Sequence, residues 1–254
     1  MNKKVFILII AVTFLLITAD SFAQQKSPSM PFPKISLDVG TAQTGNDVSV
    51  TLQILLLMTV LSLAPSLVIM TTAYLRIIIV FSFLKSALGT QQMPPAQLLA
   101  GVALFITFFI MAPTWNKVND EALKPLMANQ INVEEAYNKG IEPIRQFMFK
   151  QTRDEDMELF IGLSNQVRPA NRNDIPTYIL IPSFVLSELR AGFIMGFFLF
   201  IPFIMVDMII SSILMAMGMM MMPPMMISLP FKILLFILVD GWNLIVGSLI
   251  RSFS

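Results

Sequence analysis

Long apolar runs with almost no charge constrain this chain more than any other feature of its sequence. Residues 48–83 contain one charged side chain, Arg76. As a single helix this run would be more than about 50 Å long, whereas the hydrocarbon core of a bilayer is about 30 Å thick. Pro65 is therefore expected to kink or divide the helix. Further apolar runs at 98–112, 179–222 and 225–250 predict an all-α membrane protein.

The composition agrees with a membrane protein and excludes several kinds of chemistry. Only 13% of the residues are charged, about half the share found in soluble domains. The chain has no Cys and no His, so it lacks thiols, the commonest general base and the commonest metal ligand. A formal net charge of +1 gives no reason to expect a nucleic-acid partner. We predict no enzymatic activity and no cofactor or metal.

The first 23 residues have the organisation of a cleavable signal peptide. Lys3 and Lys4 form a positive n-region, residues 5–18 form an apolar h-region, and Ala23 ends a small-x-small cleavage site before Gln24. The alternative is an uncleaved transmembrane helix. The apolar run is short for a span, however, and polar residues follow it at once. Cleavage would leave the new N-terminus outside the cytoplasm.

The remaining chain divides into four predicted regions: an irregular extracytoplasmic segment (24–47), a first helical hairpin (48–114), a small soluble helical insertion (115–181) and a second helical hairpin (182–254). The insertion is recognised by its charge, since residues 115–174 carry ten acidic and eight basic side chains. A solvated helical domain accounts for all of these charges without any chemistry.

Short-range signals support the helical prediction for the insertion and its extracytoplasmic position. Asn132 with Glu135, and Thr152 with Glu155, have the spacing of helix-capping boxes. Alternate crossings from an external N-terminus place the insertion on the periplasmic side and both hairpin turns in the cytoplasm. Lys85 lies at the first turn, as the positive-inside rule favours, but the second turn has no basic residue.

The two predicted turns resemble each other. Each has a glycine, four further residues and then two prolines; the turn-forming residues are Gly89, Pro94 and Pro95 in the first, and Gly218, Pro223 and Pro224 in the second. Glycine ends a helix easily and proline begins the next one. Both turns are therefore expected to close helical hairpins, whether by duplication or by chance similarity.

Methionine is concentrated at the second turn, where Met219, Met220, Met221 and Met222 are consecutive. One interpretation is an adaptable core, because Met fills irregular gaps. Core positions on a helix recur every three or four residues, however, and four in a row point in all directions. A ring of such loops around an axis could close a pore while yielding to passing side chains. Binding of Cu(I) by thioethers is a third alternative.

Five charged residues interrupt the apolar runs: Arg76, Glu188, Asp207, Lys232 and Asp240. A charge at the bilayer centre costs about 2.5–3.5 kcal/mol on insertion scales, so buried charges need partners or a wet interior. Asp207 and Lys232 are equally distant in sequence from the Met219–Met220 bond, and we predict that they pair. Snorkelling near a helix end is the alternative to burial, and it fits Glu188 and Arg190 better than Asp207 and Lys232.

Several longer segments resemble the FliP family of flagellar biosynthetic proteins. In the first half these are residues 63–66 (LAPS), 74–80 (YLRIIIV), 87–92 (ALGTQQ) and 105–113 (FITFFIMAP). In the second half they are 182–197 (PSFVLSELRAGFIMGF) and 219–253, which includes LPFK at 229–232 and VDGW at 239–242. The resemblance runs from about residue 48 to the C-terminus and is weakest in the insertion.

This resemblance implies a pore-forming subunit of the flagellar type III export gate, in the inner membrane within the basal body. It implies FliQ-like, FliR-like and FlhB-like partner subunits, further copies of the chain itself in a helical ring, and unfolded flagellar proteins as substrates. It also implies that the Met219–Met222 loop acts as a gasket. A raised protein ring that contains the hairpins is a further implication of the resemblance, and it would explain the overlong first run and the short second one.

Three alternatives to a flagellar channel subunit follow from the same residues. A virulence-type injectisome subunit would share the core, although the signal peptide and the long N-terminal segment favour the flagellar branch. A monomeric ion or solute transporter would explain the buried charges and predicts a substrate site at the membrane midplane. A membrane enzyme would need convergent acid and base groups, which the sequence does not provide.

The signal-peptide interpretation predicts that the mature protein begins at Gln24. The positive n-region, the apolar h-region and the small-x-small site together direct cleavage after Ala23. N-terminal sequencing of the protein purified from membranes should therefore read from Gln24, and a sequence beginning at Met1 would contradict the prediction.

Overall fold

The fold is known from a computed structural model that describes residues 45–90, 94–164, 169, 171–219 and 222–253. The predicted signal peptide, its cleavage site at Ala23 and Gln24, and most of the segment 24–47 lie outside these residues. Within the described part of the chain, all regular structure is helical. The helices are α1 (Gly45–Met70), α2 (Tyr74–Leu88), α3 (Ala96–Val118), α4 (Lys124–Met127), α5 (Val133–Gln151), α6 (Asp154–Leu163), α7 (Thr177–Ala216), α8 (Pro224–Leu238) and α9 (Gly241–Arg251).

The first apolar run divides at Thr71–Ala73 and not at Pro65. Helix α1 continues through Pro65 to Met70, so the proline does not divide the helix. The hydroxyl of Thr71 donates to the carbonyl of Leu67 at 2.9 Å, and the hydroxyl of Thr72 donates to that of Ile69 at 3.4 Å. Threonine side chains that bond to the backbone in this way compete with helix continuation.

The second apolar run is longer than its composition indicated. Helix α3 continues past residue 114 to Val118, and a π-helical turn, Asn119–Leu123, leads directly into α4. The helical stretch from Ala96 to Met127 therefore has 32 residues, and its apolar part is long enough to cross a membrane. The expectation that this run barely spans a bilayer is corrected by the structure.

Helix α7 is the element against which most of the others pack. Its 40 residues correspond to about 60 Å, about twice the thickness of a hydrocarbon core. Helix α2 packs along it, α5 and α6 of the insertion lie near its beginning, and α8 lies near its end. The insertion is therefore joined to α7 through a shared core that includes Met148, Met157 and Phe184.

The capping of the insertion helices agrees with only one of the two predicted boxes. The side chain of Asn132 accepts a hydrogen bond from the backbone N–H of Glu135 at 2.8 Å, as predicted. Thr152 does not cap α6, because its hydroxyl donates to the carbonyl of Met148 at 2.7 Å and the helix begins after Arg153.

The last apolar run is bent. Helices α8 and α9 meet at an angle of 62°, at Asp240, whose φ of 49° lies in the left-handed region. The next residue, Gly241, lies so close to Phe236 that a Cβ atom there would be 2.3 Å from its ring. A sharp bend with a glycine at the close contact explains why one continuous helix, as the sequence predicted, does not form.

Two glycines on α7 allow α2 to approach closely. A Cβ atom on Gly192 would lie 3.0 Å from Ile79, and one on Gly196 would lie 2.5 Å from Phe83. Small residues four positions apart on one helix face permit such contact between neighbouring helices. The α2–α7 interface is thus built around Gly192 and Gly196.

This packing predicts that a glycine-to-alanine substitution destabilises the protein at Gly196 but not at Gly101. Gly196→Ala should lower the thermal unfolding midpoint of the detergent-purified protein, because overpacking costs about 1–3 kcal/mol. Gly101→Ala, where nothing lies within 4 Å of the new Cβ, should leave the midpoint unchanged or raise it, because Ala favours helix over Gly by about 1 kcal/mol. Equal shifts at the two positions would contradict the close α2–α7 contact.

Candidate functional site

A buried ion pair joins α2 to α7. The Nε atom of Arg76 donates to Oε2 of Glu188 at 2.9 Å, and Nη2 of Arg76 contacts the second carboxylate oxygen. The two side chains are 5% and 0% exposed. In this bidentate geometry both carboxylate oxygens accept from the guanidinium. A buried ion pair needs such contacts to offset the free-energy cost of removing two charges from water.

The C-terminal turn and the end of α5 complete the surroundings of Arg76. Its Nη1 atom donates to the carbonyl and the hydroxyl of Ser252 at 3.0 and 2.9 Å, and Nη2 donates to Oε1 of Gln151 at 3.1 Å. The guanidinium carbon lies 3.9 Å from the centroid of the Phe253 ring. Four separate parts of the chain therefore converge on one arginine.

No local sequence pattern relates Arg76 to Glu188, since the two residues are 112 positions apart. Snorkelling of Glu188 from a helix end is wrong, because α7 begins at Thr177 and Glu188 lies fully buried in its interior. The sequence feature that could have suggested this pair is the presence of one arginine in the first long apolar run and one glutamate early in the third, since opposite charges in apolar helices need partners.

A buried acid of the insertion lies next to this cluster. The Oδ2 atom of Asp156 accepts a hydrogen bond from the hydroxyl of Ser187 at 2.7 Å, and Asp156 is buried. Arg190 lies 3.9 Å from its other oxygen. The expectation that every charge of the insertion is solvated is thus wrong for Asp156, whose position four residues before Phe160 on the apolar face of α6 could have revealed it.

The structure brings Asp207 and Lys232 together. The Nζ atom of Lys232 lies 2.6 Å from Oδ2 of Asp207 and donates to the carbonyl of Ala87 at 3.1 Å. The hydroxyl of Ser228 donates to the second oxygen of Asp207 at 2.6 Å. Lys232 is almost completely buried, whereas 37% of the Asp207 side chain is exposed. This cluster joins α7 and α8 of the second hairpin to the end of α2 in the first.

The fifth predicted buried charge, Asp240, is exposed in this chain. The prediction placed it inside one continuous apolar helix, but the bend between α8 and α9 turns it to the surface. Arg190, too, is about half exposed. The buried charges of the apolar helices described here are therefore Arg76, Glu188 and Lys232, with Asp207 partly covered.

The predicted turn residues occupy corresponding positions in the two hairpins. Gly89 and Gly218 have φ values of 71° and 72°, the left-handed conformation that favours glycine at a helix C-terminus. Pro94 precedes Pro95, the residue before α3; Pro223 precedes α8, which begins at Pro224. The two turns adjoin each other, since a Cβ atom on Gly89 would lie 3.7 Å from Met225 Cγ and from Lys232 Nζ.

The methionine loop projects from this paired turn. Met219 and Met222 are 38% and 43% exposed, and the N–H of Met222 donates to the carbonyl of Met219 at 3.4 Å. Met220 and Met221 lie outside the described residues. Flanking methionines on both helices are exposed as well: Met215, Met217, Met225 and Met226. These described side chains do not form a buried core in the single chain.

These features define a helical membrane protein whose interior charges are paired within the chain. Within the described residues, three helices are long and apolar enough to cross a membrane, and the number of spans is four if the bent pair α8–α9 counts as one.

Residues 57–249 match the FliP family, and the chain belongs to that family. The flagellar biosynthetic protein FliP of Bacillus subtilis (strain 168) is 52% identical over 217 residues, which cover 85% of this chain and 98% of that protein. The FliP protein of Borreliella burgdorferi is 47% identical over 94% of this chain and 96% of its own length. That of Treponema denticola is 41% identical over the whole of both chains. The chain thus has a role in flagellar biosynthesis and export and is not an enzyme.

The Asp207–Lys232 contact predicts unequal effects of removing either partner. Asp207→Ala leaves the ammonium of Lys232 buried without a carboxylate. In a fully buried pair this change lowers the free energy of unfolding by about 3–5 kcal/mol. Here the loss should be smaller, because Asp207 is partly exposed. Lys232→Ala should cost less, since Asp207 keeps Ser228 and some water. Thermal unfolding of the purified variants measures both effects.

The double replacement Asp207→Leu with Lys232→Met is the control for this contact. It removes both charges while keeping apolar volume, so it should recover part of the stability lost in Asp207→Ala. If the stability losses of the single variants Asp207→Leu and Lys232→Met simply add in this double variant, the side chains do not interact.

Proposed function

We propose that this chain is a pore-forming subunit of the flagellar type III protein export gate, which passes unfolded flagellar proteins across the inner membrane. The observation that supports this most directly is the exposed methionine loop at the adjoining hairpin turns. In an isolated subunit, large apolar side chains exposed at a hairpin turn stay in contact with water, which does not stabilise the fold. Several copies arranged around an axis would bring these tips together.

The proposed closure depends on the chemistry of methionine. Its side chain has three rotatable bonds and a polarisable, uncharged sulfur, so neighbouring loops fill a constriction without fixed geometry. A narrow apolar constriction excludes water and ions by dewetting. When an export substrate enters, the same side chains change rotamers and adapt to it. Met219, Met220, Met221 and Met222 are assigned to this gasket.

The exposed apolar surface supports assembly with other subunits. None of the residues from Leu52 to Met70 of α1 is buried, and α3 and α7 expose large aromatic side chains such as Phe105, Phe109 and Phe198. Apolar surface on this scale marks contact with protein or lipid. We assign it to further copies of the chain and to FliQ-like, FliR-like and FlhB-like subunits, in a ring raised partly out of the bilayer.

The length of α7 is consistent with a raised ring. A helix of about 60 Å exceeds the hydrocarbon core by about 30 Å, and its first part packs against the charged insertion. In the proposed complex the insertion lies on the periplasmic side and the methionine loop at the opposite end of α7. The complex belongs to the basal body of the flagellum.

The pairing of charges weakens the transporter alternative. That hypothesis explained the five charges of the apolar runs, of which Arg76, Glu188, Asp207 and Lys232 are buried or partly buried. In the described structure these four side chains bond to each other and to neighbouring groups, so they need no solute to balance them.

The gasket proposal predicts an ion leak when its side chains are shortened. Replacing Met219, Met220 and Met221 with Ala removes apolar mass from the constriction without changing the helices on either side. The wider opening should hydrate and conduct ions. Cells that make the triple variant with its partner subunits should grow poorly, while the complex still forms. Membrane conductance and complex yield are measured on the same preparations.

Leucine replacements at the same three positions are the matched control. Leu has a similar volume but fewer rotamers, so the seal should hold better than with Ala and export should slow. If these methionines form a core instead, the Ala variant should lose assembly without leaking, because Met→Ala in a core costs about 2–5 kcal/mol. An assembled, ion-tight triple Ala complex would falsify the gasket.

A further inference from the structure

Among the acids of the last two apolar runs, Asp240 is the one without a partner in the described part of the chain. Three acidic residues lie in the described segment 177–251 outside the methionine loop. Glu188 is paired with Arg76, and Asp207 is paired with Lys232. The carboxylate of Asp240 has no hydrogen bond or ion pair to any described residue, and it does not cap α9 although it immediately precedes that helix.

The bend at Asp240 does not require a charged side chain. The left-handed conformation with φ 49° and ψ 55° is accessible to Asn and, most easily, to Gly. The tight contact is made by Gly241 against Phe236, not by the aspartate. A carboxylate on an apolar surface becomes costly when that surface is covered, unless a positive group accompanies it. Among the described residues of this chain no positive group pairs with Asp240.

The residues on either side of Asp240 in sequence form an exposed apolar rim. The neighbouring side chains are 40% to 75% exposed: Ile237, Leu238, Val239, Trp242 and Leu244. Trp242 is also held firmly, because its ring meets Phe81 and Phe236 edge-to-face at centroid distances of 6.2 and 5.5 Å. A fixed aromatic ring that remains partly exposed is typical of an interface anchor.

We propose that the bend between α8 and α9 is a docking surface for an apolar helix of another subunit, and that a lysine or arginine of that helix pairs with Asp240. The apolar rim excludes water around the pair and so strengthens it, while the charge sets the register of the partner helix. Charge complementarity selects the occupant: an unpaired acid in an apolar surface requires a basic residue on an equally apolar partner. This inference needs one part of the proposed function, namely that the chain assembles with other protein subunits.

The test places a photo-crosslinking amino acid at Leu238, which is highly exposed and adjacent to the acid, in cells that produce the complete export apparatus. We expect a protein adduct whose cross-linked peptide contains Lys or Arg within two helical turns. Asp240→Asn keeps the left-handed conformation but removes the charge, and should lower the adduct yield by at least about tenfold. Asp240→Glu should retain most of it.

Two controls make the result specific. Asp120→Asn makes the same chemical change at an exposed ion pair of the insertion and should leave the adduct unchanged. Asp240→Lys should abolish both the adduct and swimming, and changing the cross-linked basic residue to Asp should restore both.

An adduct with lipid alone, a peptide without a basic residue, or a yield that Asp240→Asn does not alter would overturn the proposal. If the unmodified chain purifies with its partner subunits and only the Asp240 results fail, the docking surface is wrong and the export-gate assembly stands. If the chain purifies alone and gives no protein adduct, both proposals fail.

Discussion

An arginine and a glutamate buried among apolar helices impose a condition that apolar packing alone does not. Apolar side chains tolerate small shifts of one helix along another, but the bidentate contact of Arg76 with Glu188 exists at one register only. Here the same guanidinium also bonds to Gln151 and Ser252 and lies over Phe253. The insertion and the C-terminal turn are therefore positioned by the contact that aligns α2 with α7.

The second charged cluster extends this alignment to the other end of the α2–α7 pair. Lys232 bonds to Asp207 on α7 and to the carbonyl of Ala87 near the end of α2. Between the two clusters, Gly192 and Gly196 bring the helices into close contact. Polar contacts at both ends and small residues between them leave little freedom for one helix to slide. The two hairpins, separated in sequence by the insertion, are thus fixed to each other beside their turns.

Local features of this fold were predictable from sequence, and distant ones were not. Gly89 and Gly218 signal helix ends because their left-handed conformation is a property of one residue. Asp207 and Lys232 could be paired because one hairpin turn relates them. Arg76 and Glu188 have no such local relation. The helix end at Met70 and the exposure of Asp240 were missed because each depends on neighbouring groups: the Thr71 hydroxyl bonds to the Leu67 carbonyl, and Gly241 packs against the Phe236 ring at the bend.

Because the described buried charges are paired within the chain, the helices of a gate subunit can keep their packing while its neighbours move. A subunit whose charged groups were left for its neighbours to satisfy would change its internal packing whenever those neighbours moved. In this chain the described buried charges are balanced internally, and the flexible apolar side chains are concentrated at the turn after Gly218. Exposed side chains change rotamers in picoseconds to nanoseconds, whereas helix register shifts take microseconds or longer. In the proposed pore, opening therefore requires rearrangement of the methionine loop while the paired helices that carry it stay in place.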